Sequence, residues 1–412
     1  MNILFLTMFN FKSFSDSGIY EDLAREFVNN RHNVYVVAPT EKRNNADTAV
    51  TECGDNYALL RVKTGNLQKT GFIKKGIATV RVSAQFKKAI KKHFRGIKFD
   101  VILYSTPPIT LYDAIKYFKN RDNAKTYLLL KDIFPQNAVD LGVLTKSGLK
   151  GVIYKYFRGK EKKLYAVSDR IGCMSEANKA YIIEHNSGID VGKISVVPNS
   201  IEPRNVDLTA DEKIEMRNKY GIPQDKRIFV YGGNLGRPQD IPFIIECLKS
   251  LKDNKQAYFV VVGDGTEYCK LQNFAETEKP TNLKLLKRLP RDDFDRMIAA
   301  CDVGLIFLDR RFTIPNYPSR LLSYMQACIP VLACTDSNTD VGNDIVNDGY
   351  GWWCESSDPK AFAALTEKIC SMSGAQLSET GETAKRVLYD KFTVKTSVQK
   401  ITEDLEHENT GL

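Results

Sequence analysis

The chain has 412 residues, of which 43% are apolar and 26% are charged. A single hydrophobic core seldom grows beyond about 250 to 300 residues, so this length predicts more than one domain. The apolar content excludes a disordered chain, and no apolar run approaches the ~20 residues that a membrane-spanning helix needs. The formal charge of +9 is unevenly distributed, with +14 over residues 1–200 and −5 over residues 201–412. An anionic partner is therefore expected to meet the first half.

The N-terminal segment and the cysteines both favour a cytoplasmic protein. Residues 1–7 lack the basic segment and the small-residue cleavage site of a secretory signal, and are instead typical of a first strand. The nine cysteines include no CxxC pair, and the four histidines are scattered. Because these spacings do not fit a zinc site, we expect reduced thiols, no metal and no other cofactor.

In the first half of the chain, short apolar strands alternate with helical patterns. An amphipathic helix is predicted at residues 19–29, and strands are predicted at residues 3–8, 34–38, 101–104, 126–130 and 170–174. Continuous apolar strands separated by helices are typical of a parallel sheet that helices cover on both faces.

The second half repeats this pattern. Strands are predicted at residues 227–233, 258–262, 283–286, 303–308, 331–334 and 351–354, with a helix at residues 241–251. A polar linker lies at residues 202–225, and a helix at residues 382–390 precedes a polar tail from residue 396.

We therefore predict an α/β protein with two doubly wound parallel-sheet domains of Rossmann-like type that face each other across a cleft. The first domain is expected at residues 1–200 and the second at residues 201–380. Residues 381–412 are expected to form a helix and tail that pack back toward the first domain. Because open α/β sheets bind ligands at the carboxyl ends of their strands, we expect the functional residues in the loops after strands.

Glycine-rich turns follow two of the predicted strands and are candidates for phosphate binding. Gly18 precedes the first helix, where free backbone amides favour an anion, although a plain strand-to-helix turn fits equally well. A second turn contains Gly233 and Gly236 and ends at Arg237. This turn has neither the GxGxxG order of a nicotinamide site nor the GxxxxGK[ST] order of a P-loop. Its amides together with Arg237 favour a phosphate cradle over a structural turn.

Another candidate anion site follows the strand predicted at residues 303–308. Pro318 and Ser319 are suited to the start of a helix, and Arg320 lies in the first turn of that helix. A cation at this position opposes the helix dipole, which indicates an anionic ligand. The alternative is a solvated arginine without a ligand.

Short motifs spread over nearly the whole chain give a family resemblance. They are Ser17-Gly18, Pro107-Pro108, Asp132-Ile133-Phe134-Pro135, Met174-Ser175-Glu176, Val197-Pro198-Asn199-Ser200, Gly233-Asn234-Leu235-Gly236, Val262-Gly263-Asp264-Gly265 and Pro330-Val331-Leu332-Ala333. Each motif is weak alone, but their order and spacing resemble the GT-B glycosyltransferases of family 4, which are retaining enzymes that use nucleotide sugars. The resemblance is greatest to the bacterial branch that assembles O-antigen, capsule or exopolysaccharide.

The chain departs from this family at its cationic and acidic positions. The family usually holds the donor diphosphate with an Arg and a Lys, and here Asn234 and Gln239 take their places. The two glutamates of the family, eight positions apart, correspond to Pro315 and Ser323. Because the second glutamate normally accepts hydrogen bonds from the ribose, a weaker grip on the ribose is implied. A catalytically impaired glycosyltransferase-like binding protein is therefore the alternative function.

The resemblance implies a retaining, metal-independent transfer of a sugar from a nucleotide sugar, with UDP favoured, to a saccharide linked to polyprenyl diphosphate. The donor diphosphate would contact Gly18, Gly233, Asn234, Arg237, Gln239, Ser319 and Arg320. The nucleoside would contact Gly263, Asp264, Arg288, Leu289 and Ser323. The catalytic candidates are Arg237, which would stabilise the leaving diphosphate, and Asp132, which would orient or deprotonate the acceptor hydroxyl. Capping of the following turn is an equally good interpretation of Asp132.

The positive charge of the first half is concentrated between residues 56 and 99, which contain twelve Lys and Arg and no Asp or Glu. A helix over residues 80–94 would align Val82, Phe86, Ala89, Ile90 and Phe94 in a stripe beside Lys87, Lys88, Lys91 and Lys92. Such a helix can lie on an anionic membrane, and the alternative is a solvated helix with an ordinary core face. Together with the lipid-linked acceptor that the resemblance implies, this helix predicts peripheral attachment of the protein to the inner face of the cytoplasmic membrane. Nucleic-acid binding is disfavoured, because the stretch has few aromatic residues and no recognition-motif spacing.

Overall fold

The computed structural model of the chain describes residues 1–44, 46–65 and 72–406. They form two compact units, the first from residues 1–202 together with the chain from residue 393 onward, and the second from residues 203–392. The segment predicted as one C-terminal piece, residues 381–412, is thus divided between the units.

The first unit is built on one twisted sheet. Its strands are β1 (Asn2–Leu6), β2 (Asn33–Glu41), β3 (Ala49–Cys53), β4 (Tyr57–Thr64), β5 (Val101–Ser105), β6 (Lys125–Leu130), β7 (Arg170–Cys173) and β8 (Ile194–Val196), and its helices are α1 (Ile19–Asn29), α2 (Phe72–His93), α3 (Tyr112–Asp122), α4 (Gln136–Asp140), α5 (Gly148–Val167) and α6 (Glu176–His185). The strand order is β3-β4-β2-β1-β5-β6-β7-β8. All pairs are parallel except the edge pair of β3 with β4.

The second unit repeats the design with a fully parallel sheet. Its strands are β9 (Arg227–Asn234), β10 (Ala257–Asp264), β11 (Leu283–Leu286), β12 (Val303–Phe307), β13 (Val331–Thr335) and β14 (Gly351–Glu355), and its helices are α7 (Ala210–Tyr220), α8 (Ile241–Ser250), α9 (Tyr268–Glu278), α10 (Arg291–Ala299), α11 (Arg320–Gln326), α12 (Val341–Asn347), α13 (Pro359–Ser371) and α14 (Gly374–Lys391). The strand order is β11-β10-β9-β12-β13-β14. Both sheets therefore confirm the predicted pair of doubly wound, Rossmann-like α/β domains.

The last described segment is a helix, α15 (Val394–Glu406), so the prediction of a polar tail from residue 396 is wrong for the described residues. Val394, Val398, Ile401 and Leu405 recur at helical spacing and are buried in the core of the first unit. Helix α15 packs against α1. The charged residues between these apolar positions gave the segment its polar appearance.

Helices α2, α3 and α5 pack side by side in the first unit. Helix α2 connects β4 to β5, α3 connects β5 to β6, and α5 connects β6 to β7, so all three connections run toward the β8 edge of the sheet. Helix α1 connects β1 to β2 and runs toward the β3 edge. Because crossovers between parallel strands are right-handed, α2, α3 and α5 cover one face of the sheet and α1 covers the other.

The apolar stripe of α2 belongs to the core. Its members, Val82, Phe86, Ala89, Ile90 and Phe94, are each at most 5% exposed. The prediction that this stripe meets a membrane is therefore wrong, because the sheet already covers it and the ordinary core face is its actual role. Part of the basic stretch, residues 66–71, lies outside the described residues.

Candidate functional site

Two glycine-rich turns lie side by side at the carboxyl edge of the second sheet. In the parallel pairing of β9 with β10, Gly233 is opposite Gly263 and Asn234 is opposite Asp264. A Cβ atom on Gly263 would lie 1.9 Å from the carbonyl oxygen of Gly233, so only glycine permits this approach. Gly233 also has a φ of +125°, which L side chains rarely adopt. The two turns thus lie directly against each other, with Gly233 and Asn234 exposed and Gly263 buried.

The residues that replace the usual cations of the first turn bind each other. Gln239 is buried, and its Oε1 accepts hydrogen bonds from Asn234 Nδ2 at 3.0 Å and from the Gly236 amide at 3.1 Å. The Gly236 amide is therefore engaged within the turn. The structure brings the predicted Asn234 and Gln239 together as a neutral pair that closes the loop.

Arg237 extends from the same turn toward solvent. Its side chain is 57% exposed, and its Nε lies 3.9 Å from Oε1 of Glu267. An ion pair this long and this exposed contributes little to stability. The guanidinium is thus held only loosely by the chain itself.

Arg320 is the second cation at this turn, and it is well positioned. Its guanidinium carbon lies 4.3 Å from the centre of the Tyr231 ring, and its Nη1 donates to the Gly232 carbonyl at 3.3 Å. A Cβ atom on Gly233 would lie 3.8 Å from the guanidinium. The structure therefore places Arg320, predicted from a different loop, directly beside the glycine-rich turn.

The position of Arg320 follows from how α11 packs. Tyr324, one helical turn later, donates its hydroxyl to the Leu305 carbonyl at 2.9 Å and accepts from the Gly232 amide at 3.2 Å. Gly304 makes room for this ring, because a Cβ atom there would lie 2.3 Å from the ring. The helix is thereby fixed over the end of β9. Ser319 is exposed at the start of this helix.

The residues predicted to bind the nucleoside follow neighbouring strands. Asp264 ends β10, and its Oδ1 accepts from the Gly265 amide at 2.8 Å. Arg288, which is exposed, and Leu289, which is half-buried, follow β11. Because β11, β10, β9 and β12 are consecutive in the sheet, the loops that follow them lie in a row along one edge. Ser323 is half-buried on α11 beyond the last of these loops.

Asp309 and Asp336 are the acidic residues that flank Pro315 and Ser323 in the sequence, and neither stands at a position where the family has its glutamates. Asp309 is fully buried and accepts hydrogen bonds from the amide and Nε of Arg311, both at 2.9 Å, so its charge is neutralised. Asp336, after β13, is also buried, and this burial raises its pKa to about 6. The sequence prediction missed Asp336, although an acidic residue directly after a continuous apolar strand is a usable signal.

Gly18, the predicted phosphate contact of the first unit, is surrounded by carboxyl groups of the chain itself. Its amide lies 3.4 Å from Oδ1 of Asp22, and the carboxyl group of Glu21 lies over its α-carbon. Glu21 is buried, its Oε2 has no hydrogen-bond partner among the described residues, and burial raises its pKa to about 7. The phosphate-binding role of Gly18 stays a prediction, and Glu21 was not predicted at all.

Asp132 lies at the carboxyl end of β6, where both its side chain and its backbone are hydrogen-bonded. Asn137 Nδ2 donates to both of its carboxylate oxygens at 2.8 Å, and Thr106 Oγ1 accepts from its amide at 3.3 Å. Desolvation raises the pKa of Asp132 to about 6, although the Asn137 hydrogen bonds oppose the shift. A carboxyl group with such a pKa is suited to accepting a proton near neutral pH.

The neighbouring Lys131 is a perturbed residue that the sequence prediction missed. Its Nζ donates to the carbonyl oxygens of Val197 and Pro198, both at 3.2 Å, and burial lowers its pKa to about 7. It joins the end of β6 to the segment that follows β8. A lysine at the end of a continuous apolar run was the available signal.

The four predicted membrane-contacting lysines lie in the C-terminal half of α2. The Nζ atoms of Lys87 and Lys91 lie 5.1 and 5.2 Å from the centre of the Tyr117 ring on α3. Lys88 and Lys92 are exposed. These lysines therefore form a cationic surface over the packed α2 and α3.

Both halves of the chain match family models of known proteins. Residues 20–205 match Glycosyltransferase Family 4, and residues 212–387 match Glycosyl transferases group 1. The chain belongs to the GT-B glycosyltransferases. The glycosyltransferase is 28% identical to the probable glycosyltransferase WbjE of Pseudomonas aeruginosa over 81% of this chain and 80% of that protein. It is 24% identical, over 57% of this chain and 59% of that protein, to an Escherichia coli UDP-Gal:α-D-GlcNAc-diphosphoundecaprenol α-1,3-galactosyltransferase.

Solved structures share the GT-B fold of this glycosyltransferase. Sucrose-phosphate synthase from Thermosynechococcus elongatus matches with a TM-score of 0.75 at 14% identity, over 98% of this chain and 99% of that one. Anabaena HepE in complex with UDP-glucose matches with a TM-score of 0.70 at 15% identity, over the same shares. Among the described helices of the glycosyltransferase, none is both long and apolar enough to cross a membrane.

Proposed function

We propose that this glycosyltransferase moves a sugar from a UDP-sugar to a saccharide linked to polyprenyl diphosphate, during assembly of a bacterial surface polysaccharide such as O-antigen, capsule or exopolysaccharide. Support for the donor comes from the HepE complex with UDP-glucose, which shares the fold. Support for the acceptor comes from the name of the E. coli relative, a diphosphoundecaprenol-linked galactosyltransferase.

The observation that carries the donor proposal is the position of Arg320 beside Gly233. A diphosphate at this turn would meet the exposed backbone of Gly233 and Asn234, the planar guanidinium of Arg320 and the exposed Arg237. An arginine fork matches phosphate oxygens in two places at once, so it orients the diphosphate as well as attracting it. These two cations would stabilise the charge that develops on the leaving diphosphate, which is why we propose a metal-independent transfer.

In the proposed reaction, the bond between the anomeric carbon and the diphosphate oxygen breaks while the acceptor oxygen bonds to the same face of the sugar, with retention of configuration. The proton of the acceptor hydroxyl passes to Asp132, whose pKa of about 6 leaves it mostly ionised at neutral pH. The nucleoside would lie along the row of loops that contains Gly263, Asp264, Arg288 and Leu289. Ser323, a weaker acceptor than a carboxylate, would then face the ribose.

Two measurements on the same preparation test this proposal. Calorimetry with UDP reports donor binding, and transfer of labelled sugar from a panel of UDP-sugars to a polyprenyl-diphosphate-linked saccharide reports turnover, with and without EDTA. We expect UDP binding, EDTA-insensitive transfer, and loss of transfer but not of UDP binding in Asp132→Asn. UDP binding without transfer to any acceptor would favour the impaired binding protein that the missing glutamates suggest, and no UDP binding would refute the donor assignment.

We also propose that the enzyme works at the inner face of the cytoplasmic membrane, attached peripherally. The lysines Lys87, Lys88, Lys91 and Lys92 supply positive charge for an anionic lipid surface, each contributing about 1 kcal/mol when close to it. Because the apolar stripe of α2 is buried, this surface acts through charge alone. Charge reversal of the four lysines should therefore weaken binding to anionic vesicles in low salt and have little effect in high salt.

A further inference from the structure

Helix α5 exposes large apolar side chains in its first three turns. Leu149 is 90% exposed, Val152 is 67% exposed and Tyr156 is 46% exposed. Their spacing of three and four residues places them on one side of the helix. A contiguous group of exposed large apolar residues usually marks an interaction surface. We call these three residues the α5 patch.

Cations surround the α5 patch. Residues 146–163 contain seven Lys and Arg and one acidic residue, Glu161. Glu161 is buried, where Arg158 and the hydroxyl of Tyr165 donate hydrogen bonds to it, so its charge is not presented at the surface. Lys150 and Lys155 are exposed beside the apolar side chains. The surroundings of the patch are therefore complementary to an anionic partner.

The cationic surface continues from the α5 patch across the neighbouring helices. Lys160 Nζ lies 5.8 Å from the centre of the Tyr156 ring and 3.9 Å from Asp113 on α3. Helix α3 in turn packs against α2, where Lys87 and Lys91 lie over Tyr117. One face of the first unit thus combines an apolar patch with an extended positive field. This pairing is typical of proteins that rest in the interface of an anionic bilayer.

The direction of the helices decides where on this face the α5 patch and the α2 lysines lie. Helix α5 ends three residues before β7 begins, so its C-terminus lies at the amino edge of the sheet. Its 20 residues span about 30 Å, which is longer than β6, so its first turns reach the carboxyl edge where Asp132 lies. The lysines of α2 lie in the C-terminal half of that helix, toward the opposite edge.

We propose that the first three turns of α5 insert Leu149, Val152 and Tyr156 into the interface of an anionic lipid bilayer, so that the face formed by α2, α3 and α5 lies on the membrane surface with the edge that carries Asp132 at the inserted end. The tyrosine is suited to the headgroup region, because its ring is apolar and its hydroxyl is polar. Docking in this orientation would present lipid-linked saccharides to Asp132. Only this last consequence rests on the proposed function, because the docking itself needs no nucleotide or acceptor.

The test is flotation with vesicles of phosphatidylcholine and phosphatidylglycerol, compared with vesicles of phosphatidylcholine alone. The variant Leu149→Glu/Val152→Glu should reduce binding to the anionic vesicles at least tenfold, because two inserted apolar groups become charged. The matched control is Ile214→Glu/Val346→Glu, which changes residues of the second unit that are 46% and 51% exposed. The control should float like the wild-type protein.

A fluorescent probe gives a second measurement that does not depend on the loss of binding. Val152→Trp should show a blue-shifted emission when the anionic vesicles are added, whereas Ile214→Trp should not. Flotation of the glutamate variant at the wild-type level, or an unchanged emission of Val152→Trp in bound protein, would overturn the proposal. A wild-type dimer in solution that Leu149→Glu/Val152→Glu converts to a monomer would assign the patch to a second copy of the chain and would also overturn it.

Calorimetry with UDP separates this inference from the proposed function. If the protein binds UDP and transfers sugar to a soluble acceptor analogue but does not bind vesicles through the α5 patch, the membrane inference is wrong and the proposed function stands. If vesicle binding depends on the α5 patch but UDP does not bind, the proposed function fails and the docking surface stands.

Discussion

Replacement of Arg320 by alanine tests the donor site most directly. The structure holds this guanidinium 4.3 Å from the Tyr231 ring centre and beside Gly233, where a diphosphate would accept its hydrogen bonds. A hydrogen bond between charged groups contributes about 1.5 to 3 kcal/mol, so we expect the Kd for UDP to rise roughly 10- to 150-fold in Arg320→Ala. The loss of the contact with Tyr231 should lower the free energy of unfolding by only about 0.5 to 1 kcal/mol.

The assay is isothermal titration of the wild-type and variant proteins with UDP and with uridine. Uridine lacks the diphosphate, so its Kd should be the same in both proteins. Arg320→Lys keeps the charge but loses the planar fork, and should give an intermediate Kd for UDP. The control is Arg310→Ala, which removes an exposed arginine from the loop between β12 and α11. The assignment of Arg320 to the diphosphate is refuted if the Kd of Arg320→Ala for UDP is within twofold of the wild-type value, or if its Kd for uridine rises by the same factor as its Kd for UDP.

Three further changes test other parts of the structure. Gly263→Ala should destabilise the protein by at least about 1 to 3 kcal/mol in urea unfolding, because its Cβ would lie 1.9 Å from the Gly233 carbonyl oxygen, whereas Gly374→Ala, with open space around it at the start of α14, should be neutral or stabilising. Burial raises the pKa of Glu21 to about 7, so the folded protein binds a proton more tightly than the unfolded chain, and stability should fall by up to about 3 kcal/mol as pH rises from about 4.5 to above 7. Glu21→Gln should flatten that part of the profile, and an unchanged slope would show that Glu21 is not the group that titrates. If Asp132 accepts the acceptor proton, kcat/KM should fall as pH drops below about 6, and a flat profile down to pH 5 would contradict this role.

The strands of both sheets were largely predictable because parallel strands buried on both faces form continuous apolar runs. Residues 283–286 were predicted with the boundaries that the structure shows, as was the helix at residues 19–29. Strands β3, β4 and β8 were not predicted. Strand β3 is exposed and has no such run, Arg61 and Lys63 interrupt the apolar run of β4, and β8 has only three residues. The tail helix α15 was missed because its four buried apolar residues are separated by charged ones.

The candidate site was predictable where its chemistry is carried by backbone shape. Gly233 and Gly263 were predicted separately, as contacts of the diphosphate and of the nucleoside, and the structure places them directly opposite each other. The sequence placed Arg320 on a different loop, and only the packing of Tyr324 beneath α11 shows why it reaches Gly233. The perturbed residues Glu21 and Lys131 were missed because a pKa shift depends on burial, which the local sequence does not reveal.

The return of α15 to the first unit has a consequence for the order of events during synthesis. The second unit, residues 203–392, is continuous in sequence and is synthesised before residues 393–406 are made. The first unit, although synthesised earlier, lacks part of its core until α15 is made, because Val394, Val398, Ile401 and Leu405 belong to that core. The same helix accepts hydrogen bonds from Lys125 and Tyr127. The core of the nascent first unit is therefore incomplete, with apolar surface of α1 uncovered, until α15 has been synthesised. A stop codon placed just before α15 would leave the unit synthesised first as the unfinished one.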